Sequence, residues 1–359
     1  MMLKEKLKEK REDLIKLLPL IAFIIPFLIL YLKQDVTFSY SFEATWKGRA
    51  FYIFFIWFAV LEMIINWEKL QPKAFKKLKS IRTIALILAL LLPTIYVVIS
   101  NFYGLNDAIY VWTRENYMAQ KTELSKRDKQ FFAMMMPLAV EYLVFAAFSF
   151  LIVFLQYGVD GFRKSLLAPS FLTIIGIVYM IDNLYPYGQF IPFQIPAATT
   201  ATIANSFLNL MGYRTYISYE TDPTWGWIPI LYYYLPKHSI PIPVFAIAWP
   251  CSGIESLLVY TIFIIIFLKN FEISLMRKIA YFSIGAAITY LINIFRIITL
   301  FIIAINSGYS EEFWRFHDFY AQLISISWIA AYPLLIMMGG DILQKIKSFA
   351  EFLKMRLSS

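Results

Sequence analysis

Three residues of this sequence are of the types that could do covalent chemistry together: Cys251, Arg296 and His317. Cys251 is the only cysteine among 359 residues and lies in Trp249-Pro250-Cys251-Ser252-Gly253-Ile254-Glu255, where a proline-bearing loop opens into the apolar run Ser256 to Leu268. A helix start offers unpaired backbone N–H groups and partial positive charge, and both favour a thiolate over a thiol. A thiolate attacks an acyl carbon, an imidazole takes and returns protons, and a fixed guanidinium stabilises the developing oxyanion. Each residue also has an ordinary reading. A lone cysteine is commonly a small buried hydrophobe. Arg296 can be a structural ion-pair member with Glu255 as its partner, and His317 an interfacial surface histidine.

The neighbours of Cys251 carry expectations of their own. Ser252-Gly253-Ile254-Glu255 fits the S-x-x-E capping box, in which the serine hydroxyl and the glutamate carboxylate satisfy N–H groups at the helix start. On that reading Ser252 is the cap, and Cys251 sits just outside the first turn. Gly253 removes bulk beside the sulfur, so a substrate backbone can approach closely. His238, the only other histidine, reads as a residue of the preceding loop, with the working base as its alternative role.

The elements that position these residues are membrane spans. Hydrophobic residues make up 60% of the chain and charged residues only 16%, a balance that long uncharged runs turn into an all-α polytopic membrane protein. Eight spans are expected: Leu14 to Leu32, Phe51 to Trp67, Thr83 to Ser100, Phe132 to Phe154, Leu167 to Leu184, Ser252 to Leu268, Ile279 to Ile305 and Phe319 to Met338. The first is too long for a signal-peptide core and has no small-residue cleavage site. Four segments follow: a five-helix region 1–184, a loop region 185–250, a three-helix core 251–340 and a basic tail 341–359. The proline-rich stretch 185–250 excludes one continuous spanning helix. Within it Pro196 to Met211 reads as an interfacial helix, and Ile228 to Tyr234 and Ile240 to Trp249 read as extended. Glu62, Glu141 and Asp182 fall within or beside spans as candidates for inter-helix hydrogen bonds. With one cysteine, no disulfide, multi-cysteine metal site or cofactor is expected.

The net charge of +9 does not indicate nucleic acid, because the basic residues cluster beside apolar runs. The densest cluster, Lys69, Lys73, Lys76, Lys77, Lys79 and Arg82, joins the second and third spans. Lys/Arg bias then orients the chain with both termini cytoplasmic and 185–250 outside. The segment Asn101 to Gln130 is the misfit, since it would carry Arg114, Lys121, Lys126, Arg127 and Lys129 outside. In this orientation Cys251 is at the outer end of the sixth span and His317 at the outer start of the eighth. Arg296 lies seventeen residues from Ile279, or about 25 Å up at ~1.5 Å per residue, which brings it near the same outer face. A guanidinium there costs roughly 2.5–3.5 kcal/mol on insertion scales, so it should face protein or water and have a partner.

Cys251-Ser252-Gly253-Ile254 at a helix start, Asn293-x-x-Arg296 in the next span and His317 at the head of the one after resemble the exosortase/archaeosortase family of polytopic membrane transpeptidases. The motif core covers about the last third of the chain. The resemblance implies Cys251, Arg296 and His317 as an extracytoplasmic catalytic set, with Ser252, Gly253, Glu255 and Asn293 supporting it. It also implies substrates: exported proteins ending in a short motif, a transmembrane segment and a basic cluster. These would be cut through a Cys251 thioester and passed to a membrane-lipid acceptor. A Lys- and Ile-rich composition favours the archaeosortase branch. Two other classes fit the residues: a thiol-dependent acyl or lipid transferase without a protein-tail substrate, and a non-enzymatic transporter or scaffold.

Overall fold

A computed structural model describes residues 2–32, 47–75, 80–122, 125–185, 190–222, 226–235, 240–269, 271–321 and 323–338. His238, the tail 341–359 and Lys76, Lys77 and Lys79 lie outside the described residues. The chain divides into two compact units, Met1–Gln194 with Tyr219–Ile228, and Ile195–Ser218 with Pro229–Ser359.

The first unit is helical, comprising α1 (Met2–Leu32), α2 (Lys47–Ile65), α3 (Ile81–Phe102), α4 (Leu105–Trp112), α5 (Lys126–Phe162) and α6 (Leu167–Leu184). Its core is aromatic: Phe23 meets Phe55 and Phe145 edge-on, and Phe27 stacks on Tyr52 at 4.6 Å. Such offset and edge-to-face pairs add to the burial of each ring. The two buried glutamates of this core are hydrogen-bonded, as a low-dielectric setting favours. Glu62 accepts the N–H groups of Leu167 and Ala168, both at 3.1 Å, and so caps α6. Glu141 accepts the Tyr52 hydroxyl at 2.5 Å. Both acidic residues thus join helices, as their positions in the spans suggest. The basic stretch after α2 also has a local job. At Gly158 (φ 69°) α5 breaks, and Arg82 and the Lys73 amide take the carbonyls of Phe154, Leu155 and Gln156 just before the break.

The second unit builds the site. It contains α7 (Ile191–Leu210, of which 195–210 belong here), parts of strands β1 (Thr215–Asp222, 215–218 here) and β2 (Gly226–Tyr233, 229–233 here), and β3 (Ile242–Ala246), then α8 (Ile254–Lys269), α9 (Leu275–Ser307), α10 (Glu311–Arg315) and α11 (Leu323–Met338). Ala201, Ala204 and Leu208 form an apolar stripe on α7, and Ile294, Ile297, Ile298 and Phe301 form the helical i, i+3, i+4, i+7 stripe on α9. These two stripes and Leu231 and Val244 of the sheet share one buried cluster.

The predominantly helical architecture agrees with the all-α expectation, and the region between α7 and α8 adds a small sheet in the order β1-β2-β3. Alternating aromatic and β-branched residues favour strands there, while Pro229 and Pro243 disfavour helix. β3 pairs antiparallel with β2 and carries Pro243 at the sheet edge, where a missing N–H is tolerated; a register shift lies between Leu231 and Tyr232. The two expected extended pieces hold β2 and β3, although the second ends before Trp249, which already belongs to a 3₁₀ turn; β1 is additional to them. α7 begins at Ile191 rather than Pro196, with Pro196 inside the helix.

Each expected span coincides with a helix. Five helical segments among the described residues are long and apolar enough to cross a membrane: Arg11–Leu30, Ile81–Phe102, Lys129–Phe162, Leu167–Leu184 and Leu275–Ser307. Phe51–Ile65, Ile254–Lys269 and Leu323–Met338 are shorter.

α8, α9 and α11 lock together toward the end of α9 that precedes the site in sequence. Tyr260 of α8 donates to Phe282 O at 2.8 Å, and Tyr332 of α11 donates to Tyr281 O at 2.7 Å. Gly285 lies beneath both rings, so a Cβ there would sit directly against the Tyr260 hydroxyl and the Tyr332 ring. Gly285→Ala should therefore destabilise the purified protein by about 1–3 kcal/mol, the usual cost of overpacking, read as a lower thermal midpoint in detergent. An unchanged midpoint would mean that the rings can shift freely.

Candidate active site

The local fold around Cys251 follows from its two conformationally special neighbours. Pro250 fits the first turn of a short 3₁₀ segment, Trp249–Ser252, whose Cys251 amide donates to Ala248 O at 2.9 Å. Gly253 then adopts φ +90°, ψ 3°, which ends that turn and redirects the chain into α8. Its own carbonyl accepts the Leu257 amide at 3.0 Å, so Gly253 occupies the N-cap position of α8. The capping-box expectation is corrected here. Ser252 is fully buried and its hydroxyl donates backwards to Trp249 O at 2.5 Å, because the left-handed glycine turns it away from the helix start.

The structure brings Cys251, Arg296 and His317 together. Cys251 Sγ is 3.9 Å from His317 Nε2, and Arg296 donates from a terminal guanidinium nitrogen to the backbone oxygen of His317 at 3.4 Å. Arg296 is only 9% exposed, and its Nε–H is buried with no hydrogen-bond partner among the described residues. The alternative reading of Arg296 as the ion-pair partner of Glu255 has no support in the hydrogen bond described for its guanidinium, which goes to His317; Glu255 sits in the first turn of α8 and has interactions of its own. The guanidinium is instead turned toward the loop that carries His317.

His317 lies in the π-helical turn Phe316–Tyr320, which follows α10. Such widened turns insert an extra residue and recur at functional positions. Its ring lies nearly parallel to that of Phe313 (11°, centroids 6.3 Å) and meets Trp314 edge-on at 5.9 Å. Phe313 in turn contacts Phe245 of β3 at 6.4 Å. Two aromatic walls thus limit the imidazole's freedom to rotate.

The turn bearing Cys251 is held by side chains from other helices. Asn293 of α9 donates from Nδ2 to Cys251 O at 3.0 Å. Thr200 of α7 donates to Ser252 O at 2.9 Å, and its oxygen is 2.8 Å from the Tyr290 hydroxyl. Thr200 and Tyr290 were not singled out from sequence. The available signals were the Thr-rich polarity of α7, too high for a comfortable span, and the three-residue spacing Tyr290, Asn293, Arg296. His238, read as a loop residue with the working base as its alternative role, lies outside the described residues. Among those described, no group of three or more His, Cys, Asp or Glu is placed to hold a metal ion.

The model of the transmembrane exosortases matches residues 45–332, most of the chain. The chain belongs to the transmembrane exosortase family. The match is to the exosortases as a whole and does not separate the archaeosortase branch. No curated protein and no solved structure matches the chain. Membership makes this exosortase a polytopic membrane protein of a family that includes transpeptidases.

Gly253 and Asn293 form a coupled pair. A Cβ on Gly253 would lie 2.9 Å from the Asn293 amide group, besides occupying a left-handed φ. Gly253→Ala should thus cost roughly 1–2 kcal/mol from backbone strain alone and more from the clash. In an Asn293→Ala background the same substitution should cost less. Equal costs in the two backgrounds, measured by thermal or chemical unfolding, would show that the contact is not rigid.

Proposed function

We propose that this exosortase is a cysteine transpeptidase that cuts the C-terminal sorting signals of exported proteins and transfers them to a membrane-anchored acceptor. The observation that carries the reading is the 3.9 Å approach of Cys251 Sγ to His317 Nε2 in a chain of this family. His317 with its Nε2 unprotonated takes the thiol proton, and the sulfur forms a bond to the scissile carbonyl carbon. The tetrahedral oxyanion that results needs a donor in a water-poor site, and the unused Nε–H of Arg296 is suited to that task. The C–N bond then breaks, His317 returns the proton to the leaving amine, and the substrate remains as a Cys251 thioester. A hydroxyl or amine of the acceptor, for which a membrane lipid headgroup is the natural candidate, attacks the thioester carbonyl; His317 takes its proton and the thiolate leaves. A 3.9 Å sulfur–nitrogen distance is long for proton transfer, as is common before substrate tightens a site.

The reading includes eight spans, both termini cytoplasmic and the thiol on the outer side. A substrate helix beside α8, α9 and α11 then presents its outer end to Cys251, which explains why its signal would combine a short motif, a span and a basic cytoplasmic anchor. Two experiments test it. Cys251→Ala and His317→Ala should each leave tail-bearing exported proteins at precursor length in cells. Normal trimming in the Cys251→Ala strain would exclude a thioester. A membrane-impermeant maleimide added to intact cells should label Cys251, whereas labelling only of inverted vesicles would reverse the orientation.

A further inference from the structure

We propose that Thr200 and Tyr290 are positioning residues of the same reaction, acting on the nucleophile through the backbone of its turn. The inference rests on the cysteine-nucleophile reading and adds residues that no motif contains. Thr200 has one hydroxyl proton and two hydroxyl-range neighbours, Ser252 O at 2.9 Å and the Tyr290 hydroxyl at 2.8 Å. A carbonyl oxygen only accepts, so Thr200 donates to Ser252 and Tyr290 donates to Thr200. The result is a directed chain, Tyr290 O–H to Thr200 O–H to Ser252 C=O, in which each bond polarises the next.

The place of this chain is what gives it a role. Thr200 is fully buried, so no water competes for the Ser252 carbonyl through that side chain. Asn293 holds the carbonyl of Cys251 itself, one peptide earlier. Two consecutive peptide planes, those on either side of Ser252's Cα, are thereby clamped from α7 and α9. The direction in which Cys251 carries its sulfur toward His317 depends on those planes. Tyr290, Asn293 and Arg296 stand three residues apart on α9, and each serves one carbonyl: Ser252 through Thr200, Cys251 directly, and His317 directly. One helix therefore sets both partners of the sulfur–imidazole contact, and Thr200 extends its reach to the far side of the turn.

The test uses acylation of the purified full-length protein by p-nitrophenyl acetate. In that reaction the Cys251 S–C bond forms, the ester C–O bond breaks, and p-nitrophenolate leaves; Cys251→Ala supplies the blank. Thr200→Val keeps the shape and removes the donor, and Thr200→Ser keeps the donor. The Cys251-dependent burst should slow about tenfold in Thr200→Val, the order expected when a buried carbonyl loses a bond that orients the reacting group. Thr200→Ser should stay within about twofold of the wild type, with burst amplitude unchanged throughout. A purely structural threonine predicts otherwise, with amplitude or thermal midpoint falling and the serine giving no rescue. Wild-type rates in Thr200→Val, or equal loss in Thr200→Ser, would overturn the inference. If Thr200→Val does not fold, Tyr290→Phe decides it: a slowed burst supports the relay and a wild-type rate refutes it. Absence of any Cys251-dependent burst in the wild type would instead contradict the nucleophile reading, and the inference with it.

Discussion

The hydrogen bond from Asn293 to the carbonyl of Cys251 is the constraint on which the site depends. It requires that the turn Trp249–Ser252 approach α9 closely, which only a residue without a side chain permits at position 253. It also requires that this residue adopt a left-handed φ, so that the chain can leave the turn and enter α8. Gly253 meets both demands. From that contact the sulfur is fixed relative to α9, and α9 in turn holds the carbonyl of His317 through Arg296. The imidazole and the thiol belong to segments 66 residues apart, yet both are registered against one helix.

Arg296 illustrates how the membrane setting shapes the chemistry. A guanidinium in an apolar run is costly to insert, and a single 3.4 Å bond to a carbonyl offsets little of that cost. Its buried Nε–H is unmatched among the described residues and so keeps a donor unspent. The contrast with the first unit is instructive. There the buried carboxylates of Glu62 and Glu141 accept bonds from neighbouring helices and act as joints. A buried carboxylate that joins helices and a buried guanidinium that keeps a donor in reserve are thus two different uses of buried charge.

Much of this was legible in the sequence, for identifiable reasons. Apolar runs of about twenty residues signal helices through composition alone, and each expected span coincides with one. The approach of Cys251, Arg296 and His317 followed from depth along three successive spans, because a helix converts residue count into height. The extended pieces around residues 228–234 and 240–249 announced themselves through proline and aromatic content. The errors arose where a local pattern has two solutions. Ser252-x-x-Glu255 is compatible with a capping box, but Gly253 takes a backbone state that sends the serine hydroxyl back to Trp249. The sequence also leaves open which partner Arg296 takes, Glu255 being one candidate, and its described hydrogen bond goes to a carbonyl contributed by a later segment. Thr200 reaches Ser252 across 52 residues and Tyr290 across 90, contacts that no spacing rule encodes.

Whether Cys251 carries the substrate as a thioester can be read from the mass of the Cys251 peptide isolated from cells during active export. The account predicts a fraction of that peptide joined to the trimmed end of an exported protein, released by neutral hydroxylamine. It also predicts that the fraction grows when transfer is slowed by depletion of the acceptor. A Cys251 peptide that stays a free thiol under those conditions, while tails continue to be removed, would contradict it.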